Sequence, residues 1–128
     1  MKRGYYFLLA LVLLLSGCGS VYGGTIMWSQ VSQEEAMRLM ETESDYVILD
    51  VRTQAEYDGG HIPGAILVPH DTIKGDVPQL PDKQQLILVY CRSGNRSKQA
   101  AQALADAGYE NVREFGGINS WQGEIVTD

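Results

Sequence analysis

The sequence predicts an α/β fold, a layer of parallel strands packed with helices. Three observations carry this. Residues 86–90, Leu-Ile-Leu-Val-Tyr, are continuously apolar with no alternation, the pattern of a strand covered on both faces at the centre of a parallel sheet. Shorter apolar segments at 46–51, 66–68 and 112–115 are separated by stretches of helical character, which is the order of an α/β layer structure. The capping pattern Ser/Thr-x-x-Glu occurs twice where a helix is due, at Ser32 and at Thr53.

In chain order, Ser32 to Glu35 opens a helix reaching about Thr42, with Ala36, Leu39 and Met40 on one face. The strand at 46–51 runs into Asp50-Val51-Arg52, and Thr53 starts a short helix that Gly59-Gly60 stops. A brief strand at 66–68 follows Pro63-Gly64. After the central strand, residues 98–107 form an alanine-rich helix that turns Ala100, Ala101, Ala103, Leu104 and Ala107 inward, with Gly108 where a C-terminal cap is needed. The strand at 112–115 leads through Gly116-Gly117 into a short helix carrying Trp121.

The first residues have a different character. Lys2 and Arg3 precede an apolar run at 5–15, well short of the roughly 20 residues that span a bilayer, so the segment reads as an export signal. The run ends in Leu15-Ser16-Gly17-Cys18, which resembles the lipobox of bacterial lipoprotein signals, whose cysteine is acylated and becomes the new N-terminus. The resemblance implies a signal peptide over 1–17, lipidation at Cys18 and a flexible tether over 18–26, rich in glycine, before a single domain at 27–128. A free Cys18 after an ordinary secretory signal, or an uncleaved helix, are the competing readings. With glycine rather than aspartate at position 19, the resemblance implies an extracytoplasmic, membrane-anchored protein, on the outer membrane if the host has one.

Ten basic and sixteen acidic residues give the chain a net charge of −6. Loss of Lys2 and Arg3 with the signal leaves eight against sixteen, a charge of −8. Such a surface repels nucleic acid and anionic lipid headgroups.

Against that field stands Cys91-Arg92-Ser93-Gly94-Asn95-Arg96-Ser97, between the central strand and the alanine-rich helix. A strand that ends in cysteine and turns through glycine into a helix start aims unpaired backbone N–H groups at the sulfur. Arg92 and Arg96 add two permanent charges, and together these features are expected to lower the thiol below its usual value of about 8.5. A buried, inert cysteine is the bland alternative, and it leaves the arginines and the glycine unexplained. With Cys18 lipidated, Cys91 is the one thiol of the mature chain and has no disulfide partner within it.

The residues closely resemble the single-domain rhodanese, or sulfurtransferase, family over about 29–125. The resemblance rests on Asp50-Val51-Arg52 with Glu56-Tyr57, on Gly60-His61-Ile62-Pro63-Gly64-Ala65, on the Cys91–Ser97 loop, and on Gly116-Gly117 with Trp121. It implies a small doubly wound parallel sheet flanked by helices on both faces, with Cys91 as a catalytic persulfide carrier at the C-terminal edge of the sheet. It further implies that Arg92, Ser93, Gly94, Asn95, Arg96 and Ser97 bind the substrate, and that Asp50 and Arg52 support the loop from behind. A strand-end ion pair between Asp50 and Arg52 is the simpler reading of those two. The expected reaction moves sulfane sulfur from thiosulfate or a persulfide donor to an acceptor such as cyanide, a small thiol or a protein cysteine, without a cofactor.

Two other functions compete. A sulfur-carrier module would keep the persulfide and turn over thiosulfate poorly. A cysteine-dependent phosphatase or arsenate reductase would use the same kind of cradle, but such enzymes resemble Cys-x5-Arg, whereas Arg96 follows Cys91 after four residues. Tyr90 also stands where those loops usually carry histidine. His61 and His70 lack the companion ligands of a metal site, and His61 is expected to order its loop.

Overall fold

The computed structural model describes residues 28–128. The expected signal peptide, Cys18, the whole of the tether and Met27, the first residue of the expected domain, lie outside the described residues. The elements are β1 (Trp28–Gln30), α1 (Gln33–Thr42), β2 (Tyr46–Asp50), α2 (Gln54–Asp58), β3 (Ile66–Leu67), β4 (Leu86–Cys91), α3 (Asn95–Asp106) and β5 (Val112–Gly117), with 3-10 turns at His70–Thr72 and Ile118–Ser120. The strands form one sheet in the order β1-β5-β4-β2-β3, and every pairing is parallel.

β4 is the central strand, buried at all six positions. Its pleat sends alternate side chains to opposite faces. Ile87, Val89 and Cys91 join Ala100, Ala101 and Leu104 of α3 in one core, while Leu86, Leu88 and Tyr90 join Ala36 of α1 and Phe115 in the other. Tyr57 of α2, with Leu39 and Met40, packs on that second core. Helices therefore cover both faces, as the resemblance implies.

The caps are local. Thr53 forms the full reciprocal box, its hydroxyl accepting from the Glu56 N–H while the Glu56 carboxylate takes the Thr53 N–H. Ser32 makes half of one: its hydroxyl accepts from Glu35 N–H at 3.0 Å, but the Glu35 carboxylate turns to Arg38. Gly108, at φ +93°, follows α3 as expected.

Several boundaries differ from the sequence expectation. α3 begins at Asn95 rather than near residue 98, because the reversal is complete at Gly94. Ala105 is buried in α3, whereas Ala103 and Ala107 are half-buried against the same core. β5 runs on to Gly117, and a single 3-10 turn replaces the expected last helix, with Trp121 directly after it. β1 is an addition; its three residues pair with β5, Ser29 and Gln30 exposed and Trp28 partly buried against the first core, too short a run to carry an apolar pattern.

Tyr109 ties the long segment between β3 and β4 to the first core. Its buried hydroxyl accepts from Val77 N–H at 3.0 Å and donates to the Leu80 carbonyl at 2.7 Å. Tyr109→Phe strands both backbone groups and is expected to cost about 1–3 kcal/mol, read as a lower urea midpoint with the slope unchanged.

Candidate active site

The C-terminal edge of the sheet gathers the end of β2 at Asp50, of β4 at Cys91 and of β5 at Gly117. Cys91 pairs with Gly117 across a register shift that follows Val89. A Cβ at Gly117 would overlap the Arg92 carbonyl, so glycine is what lets β5 pass this close to the loop. The Arg92 carbonyl then accepts from Asn119 N–H at 3.1 Å.

Gly94 caps α3 at φ +112°, in the left-handed region open to glycine. The turn brings its own N–H to 3.0 Å from the Cys91 Sγ. Burial of the thiol works against ionisation. The Ser97 hydroxyl and the N–H groups of Ser97, Gly94 and Ser93 outweigh it and hold the thiol below its ordinary value. The expected depression is present, and its causes are the Ser97 hydroxyl and the backbone amides of the loop and of the first turn of α3.

The Arg96 guanidinium is paired with Glu56, its two terminal nitrogens 2.7 and 2.9 Å from the two carboxylate oxygens, while remaining near enough to Cys91 to interact with its charge. Arg92 is exposed on the rim of an open hollow of about 380 Å³ that is also bordered by Arg52, Glu56, Asn119 and Ile125. Ser93 and Asn95 are exposed, while Gly94 and Ser97 are buried. Ser97 Oγ lies 2.9 Å from the Gly94 carbonyl and 2.6 Å from Glu114 Oε1.

Behind β4, Asp50 and Arg52 are both buried and form a tight pair. The Arg52 N–H, Nε and Nη2 all donate to the Asp50 carboxylate, with Nη2 at 2.7 Å. Tyr90 donates to the same carboxylate at 2.6 Å and accepts from Ile62 N–H at 3.1 Å, and Arg52 Nη2 reaches the Gly60 carbonyl at 2.6 Å. Burial first, and then the hydrogen bond to Asp50, push the Tyr90 hydroxyl well above the usual phenol range. The ion-pair reading of Asp50 and Arg52 holds, and the pair also fastens the Gly60–Ile62 turn to the central strand.

His61 is buried and stacked on Tyr57 with ring centroids 3.8 Å apart, its Nδ1 is 3.0 Å from the Tyr57 carbonyl, and its backbone pairs with Val126. It orders the loop. His70 opens a 3-10 turn and donates its backbone N–H to the Val51 carbonyl at 3.0 Å. A second hollow, lined by Asp45, Asp82 and Arg113 among others, includes Leu86 at the start of β4, the opposite end of the strand from Cys91.

The sequence reading missed the partner of Arg96, the role of Tyr90 and the presence of Glu114. Glu56 had one legible signal, its capping box, which places its carboxylate at a helix start.

The Arg96 hydrogen bonds, opposed by partial burial and aided by the N–H and hydroxyl of Thr53, pull the Glu56 carboxyl down to about 2. A depressed carboxylate contributes stability that is present above its unfolded value of about 4.3 and is lost as pH falls through its folded value. Glu56→Gln is therefore expected to lower stability at neutral pH by about 1 kcal/mol, discounted for partial exposure. Urea titrations repeated toward pH of about 2 should show the deficit closing.

The Rhodanese-like domain matches residues 32–124. A sulfurtransferase of Allochromatium vinosum is 40% identical over 91 residues, covering 70% of this chain and 83% of that protein. The thiosulfate sulfurtransferase GlpE of Coxiella burnetii is 34% identical over 103 residues, covering 80% and 94%. The chain matches an adenylyltransferase and sulfurtransferase of Meyerozyma guilliermondii at 37% identity over 91 residues, 64% of this chain but only 21% of that larger protein's length. Among solved structures, the rhodanese-like domain of Alr3790 from Anabaena superposes with a TM-score of 0.70 at 30% identity, covering 77% of this chain and 79% of that one. The parallel sheet with its cysteine loop at the C-terminal edge and these likenesses agree: the chain belongs to the rhodanese-like domain family.

Proposed function

We propose that the protein is a lipid-anchored, extracytoplasmic sulfurtransferase that carries sulfane sulfur as a persulfide on Cys91. The observation that carries this reading is the Gly94 N–H, 3.0 Å from the Cys91 sulfur, in an arc of amides that lowers the thiol's pKa. The names of the relatives support the same chemistry.

In the first step the Cys91 thiolate attacks the outer sulfur of thiosulfate. An S–S bond forms to Cys91, the sulfur–sulfur bond of the donor breaks, and its electron pair leaves with sulfite. In the second step an acceptor such as cyanide attacks the terminal sulfur, which departs as thiocyanate and returns the thiolate. Charge balances in both steps and no proton moves, so no histidine is required beside the sulfur. The exposed Arg92 guanidinium is placed to meet the anionic donor, and the amides hold the charged sulfur. Arg96 braces the loop through Glu56.

The pairing of Arg96 also argues against phosphatase chemistry, which needs the guanidinium on the transferring phosphoryl group. A carrier that loads sulfur but hands it mainly to a protein partner is the second reading, supported by the likeness to part of a larger adenylyltransferase and sulfurtransferase.

Intact mass spectrometry after thiosulfate treatment tests the proposal. The protein should gain the mass of one sulfur atom, lose it on adding cyanide, and gain nothing as Cys91→Ser. Loading followed by negligible thiocyanate release favours the carrier, and no loading together with hydrolysis of an aryl phosphate favours the phosphatase.

The anchor rests on Lys2, Arg3, the apolar run and the lipobox-like Leu15 to Cys18. Two or more acyl chains hold a protein on a bilayer stably. Cys18→Ser should move the protein from the membrane fraction to the soluble one; retention in the membrane would point to an uncleaved helix.

A further inference from the structure

Glu114 is a fully buried carboxylate on β5 that the sulfur-transfer steps do not use. Its Oε1 accepts from the Ser97 hydroxyl at 2.6 Å and from Gly116 N–H at 2.8 Å. Its Oε2 has no hydrogen-bond partner among the described residues. Asp50, equally buried, has Arg52 and Tyr90, and Glu56 has Arg96. No cation lies within ion-pair distance of Glu114 among the described residues. A buried carboxylate with a bare oxygen is costly, and its retention calls for a reason.

The reason offered by the geometry is Ser97. A hydroxyl has one proton to donate. Ser97 sits in the first turn of α3, and its Oγ has the Gly94 carbonyl at 2.9 Å, the Gly116 carbonyl at 3.4 Å and Glu114 Oε1 at 2.6 Å, besides the Cys91 sulfur within reach. The shortest contact is to the carboxylate, and charge-assisted hydrogen bonds are the stronger ones. Glu114 thereby competes with the Cys91 sulfur for the proton that helps to lower the thiol.

We propose that Glu114 is a positioning residue for Cys91: by competing for the Ser97 hydroxyl it weakens one donor to the sulfur, leaving the resting thiolate less tightly held and more nucleophilic. Each donor given to a thiolate makes it a weaker base, and nucleophilicity falls with basicity, by about threefold per pH unit for a Brønsted coefficient of about 0.4–0.5. The groups around Cys91 are Asp50 with Arg52 and Tyr90 behind β2, Glu56 with Arg96 on the α2 side, the exposed Arg92, and Glu114 from β5. Each of the first two carboxylates already carries an arginine, so Glu114 is where a change in acceptor strength reaches the sulfur. The proposal rests on the sulfurtransferase reading for the purpose of the thiolate, and not for its geometry.

Alkylation of Cys91 by iodoacetamide across pH, followed in the purified full chain by the mass of the peptide containing Cys91, tests this without any sulfur donor. Glu114→Gln keeps the size and an acceptor for Gly116 N–H but offers Ser97 a neutral, weaker oxygen. Its thiol should titrate about one pH unit lower, and its fully ionised thiolate should react about threefold more slowly. In a Ser97→Ala background the Glu114→Gln shift should shrink to less than half. Ser97→Ala alone should raise the midpoint by less than about half a unit, because Glu114 takes the larger share of its proton.

An unchanged titration in Glu114→Gln overturns the proposal, as does a shift that keeps more than half its size without Ser97, which would be a direct effect of charge. A rise of about one unit in Ser97→Ala alone also overturns it, since the hydroxyl would then have been on the sulfur. Should Glu114→Gln fail to fold by circular dichroism, the Ser97→Ala titration decides. Failure to load sulfur from thiosulfate with these titrations as expected would sink the sulfurtransferase reading and leave the Glu114 assignment standing.

Discussion

The left-handed turn at Gly94 is what makes a site out of one cysteine. At φ +112° the chain reverses three residues after Cys91 and enters α3 immediately, so the first-turn N–H groups, which no helix satisfies internally, gather around the sulfur. A side chain at position 94 would meet strained backbone, and its Cβ would lie 3.6 Å from the Gly116 Cα. On the other side Gly117 has no room for a Cβ beside the Arg92 carbonyl. The loop is thus clasped between two close passages of backbone, and its shape owes more to these than to the side chains it displays.

This division explains what the sequence makes legible. The central strand, both helix starts and the cysteine loop follow from local rules: apolar continuity over residues 86–90, capping patterns at Ser32 and Thr53, and a glycine between strand and helix. Their physics operates within a few residues of chain. The helices on both faces follow from the alternation along β4, once the sheet is known to be covered on each side.

What stayed hidden is long-range. Arg96 stands beside Cys91 in sequence, which invites the inference that its charge serves the sulfur, yet its partner Glu56 is 40 positions away. The sheet order brings them together by placing β2 next to β4, with α2 following β2. Ser97 and Glu114 are 17 positions apart and meet because β5 lies on the other side of β4. β1 escaped notice for another reason: three residues held by pairing to β5, with Trp28 alone partly buried, leave no periodic trace. The start of α3 was displaced because the alanine-rich pattern marks its buried face, while its N-terminus is set by one backbone angle.

With Arg96 paired to Glu56, the charge on the Cys91 sulfur falls to the loop amides and the Ser97 hydroxyl, and this suits the proposed sulfur transfer better than a pair of arginines would. In the proposed reaction the negative charge starts on the Cys91 sulfur and ends on the terminal sulfur, one S–S bond of about 2 Å further out. Fixed backbone dipoles spread over a short arc face both positions without rearranging. A guanidinium held against the reaction centre would instead bind most tightly whichever species is most anionic, and both thiosulfate and the departing sulfite carry two negative charges. Equal affinity for donor and product lowers no barrier and slows release. On the proposed reaction, an exposed Arg92 at the rim would meet the donor above an interior that holds the sulfur through N–H groups, separating capture from chemistry.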